Sequence, residues 1–314
     1  MPNCEKARHI SKCLEMAVLF EVSANKPGNV NLVVGFEGTR AEHFLASAVA
    51  AAPSFEQAAR RGIAVADGKL HLSEVGMGEL IKDCVTDIAA WQNGGNTLLG
   101  TVILFMPIAV AAGMTPTKDN AFDLATLRKN IKLTVESTTA EDAVRLYEAI
   151  DIANPSGLNG APDLDVKDAS SKTRLIKENV SLLEVFKIAA GYDDVCYEWV
   201  KNYPITFDAA YPYLMELLKT KRLNVAIINT FLKVLAERPD TFISRKIGRV
   251  KALQVSDDAR VVLELGGAET AGGKESLVKF DRKLRDSGND CNPGTTADIT
   301  AAALALCTLS GYRP

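Results

Sequence analysis

The sequence predicts an all-α fold, a single multi-helix globular domain over residues 1–314. Three observations predict it. Apolar residues recur at helical spacing through nearly every segment, alternating strand patterns are almost absent, and several helices open on recognisable start signals. At this length the chain can bury a sizeable core.

The elements follow in order. Cys4 to Val22 and the Ala-rich Arg40 to Arg61 carry apolar residues at a period near 3.6. Leu72 to Gln92 continues the pattern through Val75, Leu80, Ile81, Val85 and Ile88. Leu98 to Met114 is apolar on every side, but it is just under membrane length, contains Pro107 and lacks basic flanks, so it reads as a buried core helix. Phe122 to Val135 and Ala140 to Ile150 come next, the second opened by Thr138-Thr139 with Glu141 and Asp142 in its first turn. Thr173 to Ala190, Val195 to Lys219, Asn224 to Glu237, Arg260 to Leu265 and Ser276 to Ser287 complete the helical pattern. A last apolar helix follows Pro293. Arg249 to Val255 is the best strand candidate. The loop Asn154 to Ser171 reads as a boundary or a lid over a site, and Gly266 to Lys274 as a second polar loop.

Composition excludes several functional classes. Hydrophobic residues make up 47% and charged residues 24%, with a formal charge of −3, so no broad basic face for nucleic acid is expected. The six cysteines have no CxxC spacing, which fits reduced thiols in a cytoplasmic protein. The three histidines are too few for a His-rich metal centre. The charged start, up to Glu15, has no apolar signal-peptide core, and no membrane partner is expected. A homodimer remains open.

Three Gly/Asn/Pro loops stand beside apolar helices: Asn25-Lys26-Pro27-Gly28-Asn29-Val30, Gly94-Gly95-Asn96-Thr97 and Asn292-Pro293-Gly294-Thr295-Thr296-Ala297-Asp298. Loops of this kind aim backbone N–H groups and positive dipole ends at one place, the makings of an anion site. Lys26 on its turn suits a phosphate, although a surface lysine is the plainer reading. Asp83 and Asp87, at i and i+4, share a helix face that could take Mg2+ or simply meet water. Arg245, in the basic segment Thr241 to Arg249, is either a triphosphate clamp or a solvated turn. Glu42-His43 reads as structural. Cys291 has no histidine and acid to make it a nucleophile. Neither GxxxxGK[ST] nor a strand-borne GxGxxG is present.

Taken together, Lys26-Pro27-Gly28, Gly95-Asn96-Thr97 with Gly100, Pro239-Asp240-Thr241 to Arg245, and Asn292-Pro293-Gly294 with Ala297-Asp298 resemble the triphosphoribosyl-dephospho-CoA synthase family, in order and over most of the chain. The resemblance implies an all-α pentosyltransferase. ATP acts as the (tri)phosphoribosyl donor, adenine leaves, and a hydroxyl of dephospho-CoA accepts at the anomeric carbon. It further implies Asp298 near the ribose and Asn96 and Asn292 orienting sugar or acceptor. Lys26, Gly28, Asn29, Gly95, Thr97, Arg245 and Gly294 would hold substrate and phosphates, with Asp83 and Asp87 on the Mg2+ that accompanies ATP. The partners implied are ATP and a small-molecule acceptor.

The chain departs from the family pattern at Leu98-Leu99, where Asn-Thr-His-Lys-Gly is usual, and it lacks the usual His-x-Asp-Met after the first motif. The loss of those polar groups leaves other outcomes open. They are a different acceptor such as a methanopterin-type cofactor precursor, hydrolysis of an N-ribosyl bond, and a non-catalytic nucleotide-binding protein.

Overall fold

The computed structural model describes residues 2–158 and 160–314. Met1, in the charged start, and Asn159, in the predicted lid, lie outside the described residues. The fold is all-α, as the apolar spacing requires. Its helices are α1 (Asn3–Ser23), α2 (Ala41–Ala66), α3 (Met77–Trp91), α4 (Leu99–Met114), α5 (Leu124–Glu136), α6 (Ala140–Ala153), α7 (Ala169–Lys177), α8 (Leu182–Ala189), α9 (Asp194–Lys201), α10 (Tyr211–Leu218), α11 (Leu223–Glu237), α12 (Thr241–Ile247), α13 (Arg249–Glu264), α14 (Ala271–Arg285) and α15 (Gly294–Leu309). Among the described residues beta structure is limited to one short antiparallel pair, Thr117–Lys118 with Ala121–Phe122, and an isolated bridge between Phe36 and Thr39.

Two helices that are apolar all round form the centre. α4 buries every residue from Thr101 to Gly113, so none of its faces reaches water there, and α15 buries Ile299 to Leu309. Their lack of an exposed face is why neither shows a one-sided pattern. α15 packs on α1, α4, α10 and α11, while α4 packs on α2, α3 and α5. The α2–α4 crossing is tight because it passes through glycine: a Cβ on Gly62 would lie 2.0 Å from the Val110 carbonyl oxygen. No described helix is long and apolar enough to cross a membrane.

Pro107 inside α4 has a specific consequence. It removes the N–H that would bond the carbonyl of Ile103 one turn back. The Trp199 indole of α9 donates to that carbonyl at 3.1 Å, and the Tyr203 hydroxyl donates to the neighbouring Leu104 carbonyl at 2.9 Å. The helix defect therefore fixes α9 against the core, and α9 carries Asp193 at its N-cap.

Several predicted boundaries shift. Arg249 to Val255 is the first half of α13, not a strand: Ala252, Val255, Ser256, Ala259 and Val262 are buried at helical spacing. Val195 to Lys219 divides into α9, a π-helical turn at Ile205–Ala210, and α10. The turn starts where buried Glu198 accepts from the backbone of Ile205 and Thr206 at 2.7 and 3.0 Å. The segment from Thr173 to Ala190 breaks before Ser181, which caps α8. Gly266 to Lys274 is only in part a loop, since α14 begins at Ala271. The cap predicted for α6 is Thr139, whose hydroxyl accepts from Asp142 N–H at 3.2 Å. All six cysteines are free.

Candidate active site

One cavity of about 470 Å³ lies where the three motif loops meet the predicted lid. The end of α1 and the loop after it supply Glu21, Asn29, Phe36 and Thr39. The start of α4 and the loop before it supply Gly95 to Thr101, the lid supplies Asn154 to Ser156, Leu158, Ala161 and Asp163 to Val166, and α12 and α15 supply Arg245, Gly294 and Asp298. The structure thus brings Asn29, Gly95, Asn96, Thr97, Arg245, Asn292, Gly294 and Asp298 to one wall from distant parts of the sequence.

Asp298 is the most constrained of these. It sits in the first turn and a half of α15 and is only partly accessible. The Thr101 hydroxyl donates to its Oδ1 at 2.6 Å. Its Oδ2 lies so close to α4 that a Cβ on Gly100 would meet it at 2.0 Å. Glycine at position 100 is therefore a spatial requirement of Asp298. Burial, and to a lesser degree the neighbouring carboxylates of Glu21, Asp240 and Asp193, push the Asp298 carboxyl up to about 7, against the Thr101 hydrogen bond, which pulls the other way. A carboxyl with that value can give or take a proton near neutrality.

Asp240 holds the two loops behind this wall together. Its Oδ1 accepts from Phe242 and Ile243 N–H at 2.9 and 3.0 Å, capping α12. Its Oδ2 accepts from Thr296 N–H and the Thr296 hydroxyl, both at 2.8 Å, capping α15. The α15 amide of Thr296 is therefore already used, and the Ala297 amide goes to the Pro293 carbonyl at 3.1 Å. The open helix mouth expected from the Pro-Gly turn is mostly filled by the protein itself.

Asparagines connect the first motif to the last. Asn29 Nδ2 donates to Asn292 Oδ1 at 2.9 Å, and Asn292 Nδ2 donates to Asn289 Oδ1 at 3.0 Å. Asn96 Oδ1 accepts from Leu99 N–H at 3.1 Å, closing the first turn of α4. Thr97 shares a hydrogen bond with Ser47 at 2.7 Å. Gly95 is exposed at the mouth with a positive φ of 73°. Arg245 lines the cavity with its guanidinium paired to Asp193, which also caps α9. His43 is structural as expected: its Nδ1 accepts from Arg40 N–H at 3.0 Å.

Four predicted residues are not on the wall. Lys26 is fully buried; its ammonium lies 3.0 Å from the Glu21 carboxylate and donates to the Glu21 and Ala24 carbonyls. Its charge is consumed inside the protein, so it does not face the cavity. Gly28, at φ +66°, donates to Asp281 at 2.8 Å and packs on Leu284, so it shapes the turn. Asp83 and Asp87 are exposed on α3, whose opposite face buries Leu80, Ile81, Cys84 and Ile88. They form a solvated face, and among the described residues no three metal-ligating side chains converge anywhere.

The residues that spacing did not single out are Glu21, Asp163, Asp165 and Asp193. Glu21 lies near the end of α1, just ahead of the first motif loop, and is 5% exposed. Burial raises its carboxyl, partly offset by Lys26. Asp193 has a helix-start signature, but its pairing with Arg245 spans 52 positions and leaves no local trace.

Known proteins resemble this chain in sequence and in fold. A model of the ATP:dephospho-CoA triphosphoribosyl transferase family matches residues 7–314. Curated proteins from two strains of Pseudomonas aeruginosa, provisionally named 2-(5''-triphosphoribosyl)-3'-dephosphocoenzyme-A synthase, are 33% identical over 81 residues, 26% of this chain and 27% of theirs. A Pseudomonas paraeruginosa protein with the same provisional name is 32% identical over a stretch of equal length. The chain thus spans about a quarter of the length of the curated relatives it matches. A crystal structure from Archaeoglobus fulgidus, described as a candidate triphosphoribosyl-dephospho-CoA synthase, superposes with a TM-score of 0.61 at 21% identity, covering 86% of this chain and 100% of that one. At that identity the likeness establishes the shared fold.

Proposed function

The chain belongs to the ATP:dephospho-CoA triphosphoribosyl transferase family, and on that premise we propose that it transfers the (tri)phosphoribosyl group of ATP to a hydroxyl of dephospho-CoA or a related cofactor precursor, with release of adenine. The bond from the anomeric carbon to adenine breaks, the departing adenine takes up a proton from water, the acceptor oxygen bonds to that carbon, and the hydroxyl proton must leave. Asp298 is the base for that proton. The single observation that carries this reading is its position: a carboxylate on the cavity wall, held by Thr101 and raised to about 7.

The other wall residues take supporting roles. As adenine departs, the sugar gains oxocarbenium character, which the buried negative charge of Glu21 beside Asp298 would stabilise. Asn292, tied to Asn29, and Asn96 at the mouth offer hydrogen bonds to sugar or acceptor hydroxyls. Arg245, the basic side chain among the described lining residues, is the one to meet a phosphate. Magnesium would come as the companion of ATP and would offset the charge of the triphosphate; Asp83 and Asp87 do not line this cavity and do not fit a metal site serving it.

The test is adenine formation from Mg-ATP, with and without dephospho-CoA, in the native protein and in Asp298→Asn. Acceptor-dependent adenine that falls at least about 100-fold in the variant supports the reading. Equal adenine release in both proteins removes Asp298 from the chemistry, and release without any acceptor replaces transfer by hydrolysis.

A further inference from the structure

One part of the cavity lining is apolar and belongs to α6, α8 and the lid. α6 contributes Tyr147 and Ile150. α8 buries Leu182 and Phe186, which leaves Val185, Ile188 and Ala189 half-buried, and all three line the cavity. The lid adds Leu158, Ala161 and Val166. The charged and phenolic groups of this part are engaged within the protein. The Tyr147 hydroxyl donates to the Leu164 carbonyl. Asp163 pairs with Arg174 at 2.9 Å, and Asp165 accepts from Ala161 and Lys167 N–H at 2.6 and 2.7 Å. Asn154 and Ser156 add uncharged polar side chains at the start of the lid.

This apolar part adjoins Arg245. Soon after Ala189 the chain reaches Asp193, whose carboxylate pairs with the Arg245 guanidinium. The lid reaches α12 as well: a Cβ on Gly157 would lie 3.1 Å from Lys246 Cγ and 3.8 Å from Arg245 Cβ. A guanidinium carries five N–H donors, so one that pairs with a carboxylate can also donate to a phosphate oxygen. A phosphate contact therefore stands beside a half-buried apolar surface. The ligand that matches both has an anionic end and a long uncharged one.

We propose that the lining formed by α6, α8 and the lid binds the uncharged, amide-bearing chain of the acceptor, with the acceptor's phosphates held toward Arg245. The proposal rests on the transferase reading and assigns a place to the acceptor. Dephospho-CoA has the required form, a diphosphate that carries a chain of methylene, methyl and amide groups. Covering Val185, Ile188 and Ala189 removes apolar surface from water, and Asn154 and Ser156 offer hydrogen bonds to the amides.

The experiment is equilibrium dialysis of the full chain in excess Mg2+ with two probes, dephospho-CoA and ADP, which shares its adenosine diphosphate and lacks the chain. The native protein binds dephospho-CoA at least about tenfold more tightly than ADP. Ile188→Asn, checked for folding by circular dichroism, loses at least about fivefold for dephospho-CoA and keeps its affinity for ADP. Ile188→Ala, which leaves the surface apolar, shows a smaller loss of the same kind. Val33→Asn, on an exposed apolar loop outside the cavity lining, leaves the preference unchanged. Equal binding of the two probes by the native protein overturns the proposal. So does a preference that survives both Ile188 variants, a loss shared equally by ADP, or a preference abolished by Val33→Asn instead. Adenine release from Mg-ATP with dephospho-CoA is scored separately. No release, while the preference and its loss in the Ile188 variants hold, would defeat the transferase reading and leave the chain-binding site standing.

Discussion

Replacing Asp298 by Asn should remove activity and add stability, and both effects can be sized. The carboxyl is displaced from 3.8 to about 7 in the folded protein. A gap of about 3 units corresponds to about 4 kcal/mol, an upper bound because the residue keeps some access to solvent. Its sign is unfavourable to the fold at neutral pH. The folded state holds this proton more tightly than the unfolded chain does. Stability is therefore greatest below the unfolded value near 4, declines as pH rises, and reaches its full deficit above about 7. Asparagine has the same shape, keeps an oxygen for the Thr101 hydroxyl, and never ionises. Asp298→Asn should thus melt several degrees higher than the native protein at pH 8, and at nearly the same temperature at pH 4.5. Its adenine release should be lower by at least about 100-fold, the contribution of a positioned base. In the native enzyme kcat/KM should fall about tenfold per pH unit below about 7, where Asp298 takes up its proton. Calorimetry at the two pH values and a chromatographic adenine assay suffice. An Asn variant with near-native turnover, or one whose melting shift is the same at both pH values, would refute the reasoning.

Further predictions follow from the same contacts. Gly100→Ala places a methyl at 2.0 Å from the present position of Asp298 Oδ2, so the variant should fold but lose at least tenfold in turnover, read by circular dichroism and adenine release. Asp240→Ala removes the acceptor of four hydrogen bonds that cap α12 and α15, and should cost about 3–5 kcal/mol in urea unfolding. Lys26→Met strands the buried Glu21 carboxylate and should cost about 3–5 kcal/mol, while Lys26→Met with Glu21→Gln should recover much of that loss in the same assay. Asp83→Asn with Asp87→Asn should leave turnover and its Mg2+ dependence within twofold of native, because both residues are exposed on α3 and neither lines the cavity.

What the sequence disclosed depended on the range of the interaction that decided each feature. The helices α4 and α15 were plain because burial on every side leaves an unbroken apolar run. Caps such as Thr139 with Asp142 were plain because both partners lie within one turn. Arg249 to Val255 was misjudged because Val250 and Leu253 are exposed on α13, and their presence blurs the buried stripe of Ala252 and Val255. In the site, the Asn and Gly loops announced themselves by local turn chemistry. The fate of Lys26 did not, because it depends on the turn bringing its amine back onto Glu21. For Asp83 and Asp87, spacing showed that they share a face but not which way that face points. Asp193 with Arg245, and Asp240 with Thr296, are long-range pairs that only the packed helices create.

The central claim is that this cavity moves a ribosyl group from ATP to a hydroxyl, and its most direct measurement is the mass of the product. Purified protein is incubated with Mg-ATP labelled in the ribose, together with dephospho-CoA or a related cofactor precursor, and the mixture is resolved by mass spectrometry. The account predicts one free adenine for each acceptor that gains the labelled pentose with its phosphates. Labelled pentose appearing only as the free sugar phosphate, or ATP consumed with adenine still attached, would contradict it.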